Sequence, residues 1–121
     1  MADRLKDKVA LVIGAGSVGP GWGNGKATAV LFAREGAQVI AADINLGAAE
    51  QTSAIVREAG GMCSVCQVDV SSAQSVAAMT HIALDTHGRI DVVHNNVGIM
   101  GNLGGPLDIS EEDWEQVFSV N

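Results

Sequence analysis

The residues best suited to chemistry are a run of glycines near the N-terminus. Glycine stands between a predicted strand and a predicted helix at positions 14, 16, 19, 21, 23 and 25. Glycine allows a tight turn, lets the backbone approach a ligand closely and lets a helix pack near a strand. The free N–H groups at the start of the following helix then favour an anion such as a pyrophosphate. The pattern therefore predicts a phosphate-binding turn.

The second feature is an acid, Asp43, at the end of the next predicted strand. The string GAGSVG, from Gly14 to Gly19, matches G-x-G-x-x-G, which is weak alone in a chain with 15 glycines. Asp43 strengthens it, because a carboxylate there can accept hydrogen bonds from both hydroxyls of an adenosine ribose and repels a 2′-phosphate. Ile44 and Asn45 follow it rather than Arg or Lys, which favours NAD over NADP. The alternative interpretation of Asp43 is a solvated acid at a strand end.

The elements that must position these residues alternate between strands and helices. Strands are predicted over KVALVIG, AQVIAAD, MCSVCQVDV and RIDVVHNN. The first contains five consecutive apolar residues, which indicates burial on both faces of a sheet. Helices are predicted over KATAVLFAREG, LGAAEQTSAIVREAGG, SSAQSVAAMTHIALDTHG and SEEDWEQVFSVN, the last with Ser110 as its N-cap. A glycine-rich loop, VGIMGNLGGPLD, precedes the fourth helix.

This order predicts an α/β fold, a Rossmann-type doubly wound parallel sheet with strand order 3-2-1-4 and helices on both faces. We expect one domain over residues 1–121, incomplete because it ends within the fourth helix. Ligands of such sheets bind beyond the carboxyl ends of the strands, where the strand order reverses. Here that point is the end of the first strand, where the glycines are.

Composition and charge argue against several other functions. The net charge of −7 disfavours contact with phosphate backbones, so we expect no nucleic-acid partner. No apolar run is long enough to cross a bilayer, and none has the shape of a signal peptide. We therefore expect no membrane partner and a cytoplasmic location. No spacing of His, Cys and Asp predicts a metal site.

The chain also contains a C-x-x-C motif, Cys63 and Cys66, which in other contexts is a redox dithiol. Both residues fall in the third predicted strand, where positions i and i+3 point to opposite faces. A redox pair needs its sulfurs together, usually at a helix N-terminus. We expect two separate buried thiols.

From Lys8 onward the chain resembles the short-chain dehydrogenase/reductase family. The family carries a turn of the form T-G-x-x-x-G-x-G, which Gly14, Gly23 and Gly25 match, with Ile13 in place of the Thr. Five extra residues, VGPGW, follow Ser17, so the loop resembles a family pyrophosphate turn with an insertion. The resemblance implies that the cofactor is bound in this turn by Gly14, Ser17, Gly23, Asn24 and Gly25.

Three further motifs carry the resemblance. Asp69 and Val70 are similar to the family's D-V pair, which meets the adenine. The sequence NNVG is similar to the family's N-N-A-G, which implies that Asn95 and Gly98 lie beside the cofactor. Asn121 falls where the family has a helical Asn that holds a water in its proton relay, which implies a catalytic role.

Several residues leave alternatives open. Trp22, in the insertion, is either a lid over the cofactor or a residue that packs the loop down, and we favour packing. His94 is a candidate catalytic residue, but we favour a hydrogen-bonded histidine at a strand end. His81 and His87 are predicted to lie on the surface.

The resemblance implies an NAD-dependent oxidoreductase that transfers hydride between NAD and a small alcohol or ketone, as a dimer or tetramer. In the family a Ser and a Y-x-x-x-K motif perform the chemistry, and this sequence contains no tyrosine. We therefore expect the N-terminal half of a dehydrogenase, inactive by itself. The alternatives are a non-catalytic dinucleotide-binding fragment and an S-adenosylmethionine-dependent methyltransferase, against which NNVG and the D-V pair argue.

This expectation has a consequence for stability. Without a fifth strand, the fourth strand would leave Val92 and Val93 at an open edge. The last helix would leave large apolar side chains without partners, namely Trp114, Val117, Phe118 and Val120. We expect a marginally stable, aggregation-prone chain.

Overall fold

The computed structural model describes residues 3–19, 21–100 and 104–121. Pro20 of the predicted insertion and residues 101–103 of the predicted glycine-rich loop lie outside the described residues. The strands are β1 (Val9–Ile13), β2 (Gln38–Asp43), β3 (Met62–Gln67) and β4 (Val92–Asn95). The helices are α1 (Asn24–Arg34), α2 (Leu46–Glu58), α3 (Ala73–His87) and α4 (Glu111–Val120).

The four strands form one parallel sheet in the order β3-β2-β1-β4, which confirms the predicted α/β fold and strand order. Ile13, the last residue of β1, is paired with Ala42 on one side and Asn95 on the other. The carboxyl ends of the strands therefore meet at one edge of the sheet. The loops that follow them carry the predicted site residues.

The core lies on both faces of β1, whose five residues are between 0 and 8% exposed. Ala10 and Val12 face α1 and α2, while Leu11 and Ile13 belong to the cluster on the α3 side. This double burial explains the continuous apolar run of β1. The two cysteines separate in the same way, because Cys63 packs into the first cluster and Cys66 into the second. The prediction of two buried thiols on opposite faces is confirmed.

Three helices begin with a side-chain cap. Asn45, Ser72 and Ser110 accept hydrogen bonds from backbone N–H groups in the first turns of α2, α3 and α4, as the sequence predicted for Ser110. Helix α1 differs, because its N-cap is Gly23 and makes no side-chain hydrogen bond. The start of α1 is therefore the helix end with N–H groups left for a ligand.

The opposite edge of the molecule is much less buried. No residue of α4 is buried, and Phe118 is 68% exposed while its ring packs on Trp114 with centroids 4.8 Å apart. In β4, Val93 is 57% exposed. Among the helices of the described residues, none combines the length and apolar character needed to cross a membrane.

Candidate cofactor-binding site

A cavity of about 670 Å³ lies at the carboxyl edge of the sheet, where β1, β2, β3 and β4 end. Its size is in the range of small-molecule sites. The structure brings to its wall nine of the residues predicted to bind a cofactor, namely Gly14, Ser17, Gly23, Asn24, Gly25, Asp43, Asp69, Val70 and Gly98. Asn95 and Asn121 are not among the lining residues.

Two glycines make the floor of this cavity possible. Gly14 has φ +83° and donates its N–H to the Ala42 carbonyl at 2.8 Å. A Cβ on Gly14 would lie 2.8 Å from the Asn96 carbonyl oxygen. A Cβ on Gly25 would overlap the Gly14 carbonyl oxygen. Only glycine therefore lets α1 start this close to the end of β1.

The inserted segment is closed at its base by a hydrogen bond. The Gly23 N–H donates to the Ser17 hydroxyl at 2.9 Å, so the two residues that flank the insertion are held together. Helix α1 starts directly afterwards, and its first turn contains no acidic residue. The unpaired first N–H groups and the helix dipole then favour an anion in this part of the cavity.

Asp43 is fixed by backbone amides on both of its oxygens. Oδ2 accepts from the Gly16 N–H at 2.9 Å, and Oδ1 accepts from the Asn45 N–H at 2.9 Å. The carboxylate is thus tied to the glycine turn and to the start of α2. Each carboxylate oxygen can accept a further hydrogen bond, so two ribose hydroxyls could still be bound.

A residue that the sequence analysis missed, Thr52 of α2, also positions the turn. Thr52 is fully buried, and its hydroxyl donates to the Ala15 carbonyl at 2.8 Å. The signal was present, because Thr52 shares its spacing with Ala49 and Val56 on the buried face of α2. A hydroxyl on an apolar face usually has a partner when buried.

Asp69 lies two residues after the end of β3 and lines the cavity. Its Oδ1 accepts from the Ser71 hydroxyl at 2.6 Å and from the Ser71 N–H at 3.0 Å. These hydrogen bonds, the hydroxyl first, lower the pKa of Asp69 below its ordinary value. The Asp69 N–H donates to Ser75 at 2.9 Å, which fixes the chain here. The site thus holds two carboxyl side chains that can accept hydrogen bonds, Asp43 and Asp69.

The two asparagines after β4 occupy different positions. Asn96, rather than Asn95, lines the cavity, and its N–H donates to the Ile13 carbonyl at 2.9 Å. Asn95 is still part of β4, paired with Ile13. The sequence motif located the loop, but it did not determine which asparagine reaches the cavity.

Asn121 acts on the same loop from α4. Its Oδ1 accepts from the Ile99 N–H at 2.8 Å, and its Nδ2 donates to the Ile99 carbonyl at 2.9 Å. Asn121 is the C-cap of α4, and two residues of that helix, Gln116 and Val120, line the cavity. The Asn121 side chain therefore braces the loop after β4, and the catalytic role implied by the resemblance stays a prediction.

The histidines differ from expectation. Among the described residues, the buried Nε2 of His94 has no hydrogen-bond partner, and its ring meets Phe32 edge-on at 6.2 Å. The preferred interpretation of a hydrogen-bonded His94 is wrong for that nitrogen. His87 is partly buried, with Nδ1 3.0 Å from the Gln38 side-chain oxygen, so the surface prediction fails for it and holds for His81.

Comparison with known proteins identifies the family. A family model described as Enoyl-(Acyl carrier protein) reductase matches residues 19–121. A crystal structure described as a short-chain dehydrogenase/reductase from Burkholderia xenovorans has a TM-score of 0.92 and 46% identity, covering 98% of this chain and 46% of that one. The chain belongs to the short-chain dehydrogenase/reductase family. Proteins of this family are oxidoreductases that bind nicotinamide dinucleotides.

Relatives with assigned activities also match. Cyclohexanol dehydrogenase of Acinetobacter sp. (strain SE19) is 34% identical over 121 residues, which cover 100% of this chain and 46% of the relative. A 7alpha-hydroxysteroid dehydrogenase solved with NADH and 7-oxo glycochenodeoxycholic acid is 33% identical with a TM-score of 0.87, over 98% of this chain and 44% of that one. The chain thus spans less than half the length of these relatives.

Proposed function

We propose that this chain is the dinucleotide-binding half of an NAD-dependent short-chain dehydrogenase, which transfers hydride between NAD and a small alcohol or ketone. One observation carries the proposal. The Asp43 carboxylate is held by the Gly16 and Asn45 amides beside the uncapped start of α1. An acceptor for ribose hydroxyls and a set of anion-binding amides therefore share one cavity.

The chain's residues fit the adenosine diphosphate moiety of NAD. Asp43 accepts from the ribose hydroxyls, and the first amides of α1 face the pyrophosphate. Asp69, whose Oδ2 has no partner among the described residues, accepts from the adenine amine, and Val70 offers its backbone to the ring. When bound, NAD supplies the nicotinamide that accepts or donates hydride. The chain's own residues bind that cofactor and fix its orientation.

The surroundings of Asp43 favour NAD over NADP. A 2′-phosphate would lie against the carboxylate and would need a cation close by. Ile44 follows Asp43 in the cavity wall and offers none. The Asn45 side chain carries no charge, and its Oδ1 accepts from the Ala48 N–H at 3.1 Å.

The alternative is a binding module that moves no hydride. The sequence has no tyrosine, so it lacks the family's acid/base residue. Two named relatives are alcohol or hydroxysteroid dehydrogenases, which supports an alcohol or ketone substrate for the complete enzyme. A homo-oligomeric dimer or tetramer remains part of the proposal. Reduction of NAD by candidate alcohols, with this chain and with its continuation through a Y-x-x-x-K motif, separates the two functions.

Cofactor binding is tested by calorimetric titration of the chain with NAD, NADP and S-adenosylmethionine. We expect NAD to bind at least about tenfold more tightly than NADP, since one unfavourable charge contact is about 1.4 kcal/mol or more. Asp43→Ala should weaken the affinity for NAD about tenfold and reduce the difference between the affinities for NAD and NADP. Asp85→Asn removes an exposed carboxylate on α3 and should change neither affinity. Tighter binding of NADP or of S-adenosylmethionine by the unaltered chain would refute the proposal.

A further inference from the structure

The peptide unit between Ala15 and Gly16 is held at both of its polar ends. Its carbonyl oxygen, on Ala15, accepts from the Thr52 hydroxyl at 2.8 Å. Its N–H, on Gly16, donates to Oδ2 of Asp43 at 2.9 Å. Thr52 of α2 and Asp43 of β2 therefore contact opposite ends of one rigid plane.

The two ends of this plane have different surroundings. Thr52 and Ala15 are both fully buried, so the hydrogen bond between them lies inside the protein, where water does not compete for it. Gly16 and Asp43, at the other end, line the cavity. A contact in the core thus fixes the direction of an N–H group that reaches the candidate site.

Close packing of α2 against the glycine turn places Thr52 at this point. A Cβ on Gly16 would overlap the Ala48 Cβ, so the turn and the helix touch with no side chain between them. Thr52 lies four residues after Ala48, on the same side of α2, and its hydroxyl is also 3.3 Å from the Ala48 carbonyl oxygen. The contact with the Ala15 carbonyl is the shorter one, so the hydroxyl joins the helix to the turn.

Loss of the Thr52 hydroxyl would move this plane. A buried carbonyl without a hydrogen-bond partner is costly, so the turn would shift to bring the Ala15 oxygen to water. The Gly16 N–H belongs to the same plane and would move with it. Asp43 would then keep its local contact with the Asn45 N–H and lose the contact that ties it to the turn.

We propose that Thr52 is a positioning residue for the adenosine ribose of the bound dinucleotide, and that it acts on Asp43 through the peptide unit between Ala15 and Gly16. The proposal rests on the proposed function, because the ribose is that of NAD. Thr52 itself is buried and is not among the residues that line the cavity. It holds the Gly16 N–H where the Asp43 carboxylate accepts it, and the carboxylate is then aligned with the ribose hydroxyls.

The test compares ADP with 2′-deoxy-ADP, which differ in one ribose hydroxyl, by calorimetry on the whole chain. We expect the unaltered chain to bind ADP about tenfold more tightly, since the hydroxyl donates to a charged acceptor. Thr52→Val keeps the shape of the side chain and removes its hydroxyl. It should reduce the preference for ADP to about threefold or less, mainly by weakening the affinity for ADP. Thr52→Ser keeps a hydroxyl and should retain most of the preference.

The matched control is Ser53→Ala, which removes a buried hydroxyl from the next residue of α2. Ser53 is 3% exposed, and its hydroxyl donates to the Cys63 carbonyl at 3.3 Å. That carbonyl belongs to β3 and not to the glycine turn. Ser53→Ala should therefore leave the preference for ADP unchanged.

A combined variant tests whether the effect of Thr52 passes through the carboxylate. In Asp43→Ala the preference for ADP should fall to about twofold or less, because the acceptor is gone. Adding Thr52→Val to Asp43→Ala should not reduce the preference further, since the two residues act on one contact. A further reduction of similar size to that in the single Thr52→Val variant would contradict the proposed route.

The outcomes separate the two proposals. Thr52→Ala is a second variant without the hydroxyl, used if circular dichroism shows that Thr52→Val does not fold. A folded variant of either kind that keeps the preference of the unaltered chain overturns the role of Thr52, while the proposed function stands. Equal weakening of ADP and 2′-deoxy-ADP also overturns it, because the effect would then be structural. An unaltered chain that binds neither nucleotide overturns the proposed function and this inference with it.

Discussion

The two sides of the cavity are built in different ways. On one side, β1 and most of β2 are buried on both faces, and the turn after β1 is fixed by Thr52 and by the Ala42 carbonyl. On the other side, α4 has no buried residue, and the chain is braced by the two hydrogen bonds between Asn121 and Ile99. Both sides line one cavity, but only the first is held by a packed core.

This difference assigns different stabilities to the two halves of the site. Regions with few buried apolar contacts open at lower free energy than regions inside a core. The Asp43 side should therefore keep its geometry without ligand, whereas α4 and the loop after β4 should open locally. The expectation of a marginally stable, aggregation-prone chain depends on the weak packing of this second side. Thermal unfolding measurements would test it.

The largest effect should come from Gly25, at the centre of the packed side. Gly25→Ala places a methyl group onto the Gly14 carbonyl oxygen, so α1 must move away from β1. We expect a loss of about 3 kcal/mol or more in the free energy of unfolding, together with loss of NAD binding. Urea unfolding and calorimetry measure the two effects.

Gly23→Ala is the matched control for that variant, in the same turn. A Cβ there would lie 3.7 Å from the Ser17 hydroxyl, which is ordinary contact. Gly23→Ala should lower the free energy of unfolding by less than about 1 kcal/mol. Equal costs for the two variants would show that close approach of α1 to β1 is not what requires glycine.

An effect of intermediate size is expected from truncating one valine on each side of the cavity. Val12 is fully buried in β1, and Val93 is half-exposed in the neighbouring strand β4. Val12→Ala should cost about 2 kcal/mol, because it leaves a cavity between the sheet and its helices. Val93→Ala should cost less than about 0.5 kcal/mol. Similar losses in urea unfolding would mean that β4 is covered by an interface, such as that of an oligomer.

The smallest effect on stability should come from Asp91, just before β4, whose carboxyl links the start of β4 to the start of β1. Asp91 accepts from Arg89 at 2.6 Å and from the Val9 N–H at 2.8 Å, and these bonds, that from Arg89 first, lower its pKa. A carboxyl whose pKa is lowered on folding stabilises the fold at any pH above the pKa it has in the unfolded chain, about 4. This contribution is lost as the pH falls through the pKa of the folded state.

The corresponding measurement is the pH dependence of the unfolding free energy between about pH 2 and pH 7. Asp91→Asn should be slightly less stable than the unaltered chain near neutrality, and the difference should shrink in acid. Asp85→Asn, on the exposed face of α3, should show no such convergence. If the difference in unfolding free energy between Asp91→Asn and the unaltered chain stayed constant with pH, the effect would come from altered packing or hydrogen bonding rather than from the lost charge.

Much of the fold could be predicted from the sequence because its signals are local. Unbroken apolar runs marked the buried strands, and Gly88, in the left-handed region, ended α3 as expected. Parallel strands separated by helices left few possible orders. The boundaries were less certain, since α1 begins at Asn24, before the predicted Lys26, and β3 ends at Gln67, before Asp69.

The site was only partly predictable, because single polar side chains depend on contacts far apart in the sequence. Asp43 was found from its place at the end of β2, but the hydrogen bond from Thr52 to Ala15 joins residues 37 positions apart. The contact of the Lys26 Nζ with the Trp22 ring, 4.8 Å from its centroid, was not indicated by any sequence pattern. The sequence analysis predicted that Asn95, rather than Asn96, lies beside the cofactor. The pattern does not determine at which residue β4 stops pairing with β1.

The position of the two cysteines on opposite faces of β3 has a practical consequence. Burial raises the pKa of both thiols, so each should resist alkylation until its own helix layer lifts from the sheet. Labelling of Cys63 would then report detachment of α2, and labelling of Cys66 detachment of α3. Timed alkylation followed by peptide mass analysis would reveal in which order the two layers come apart.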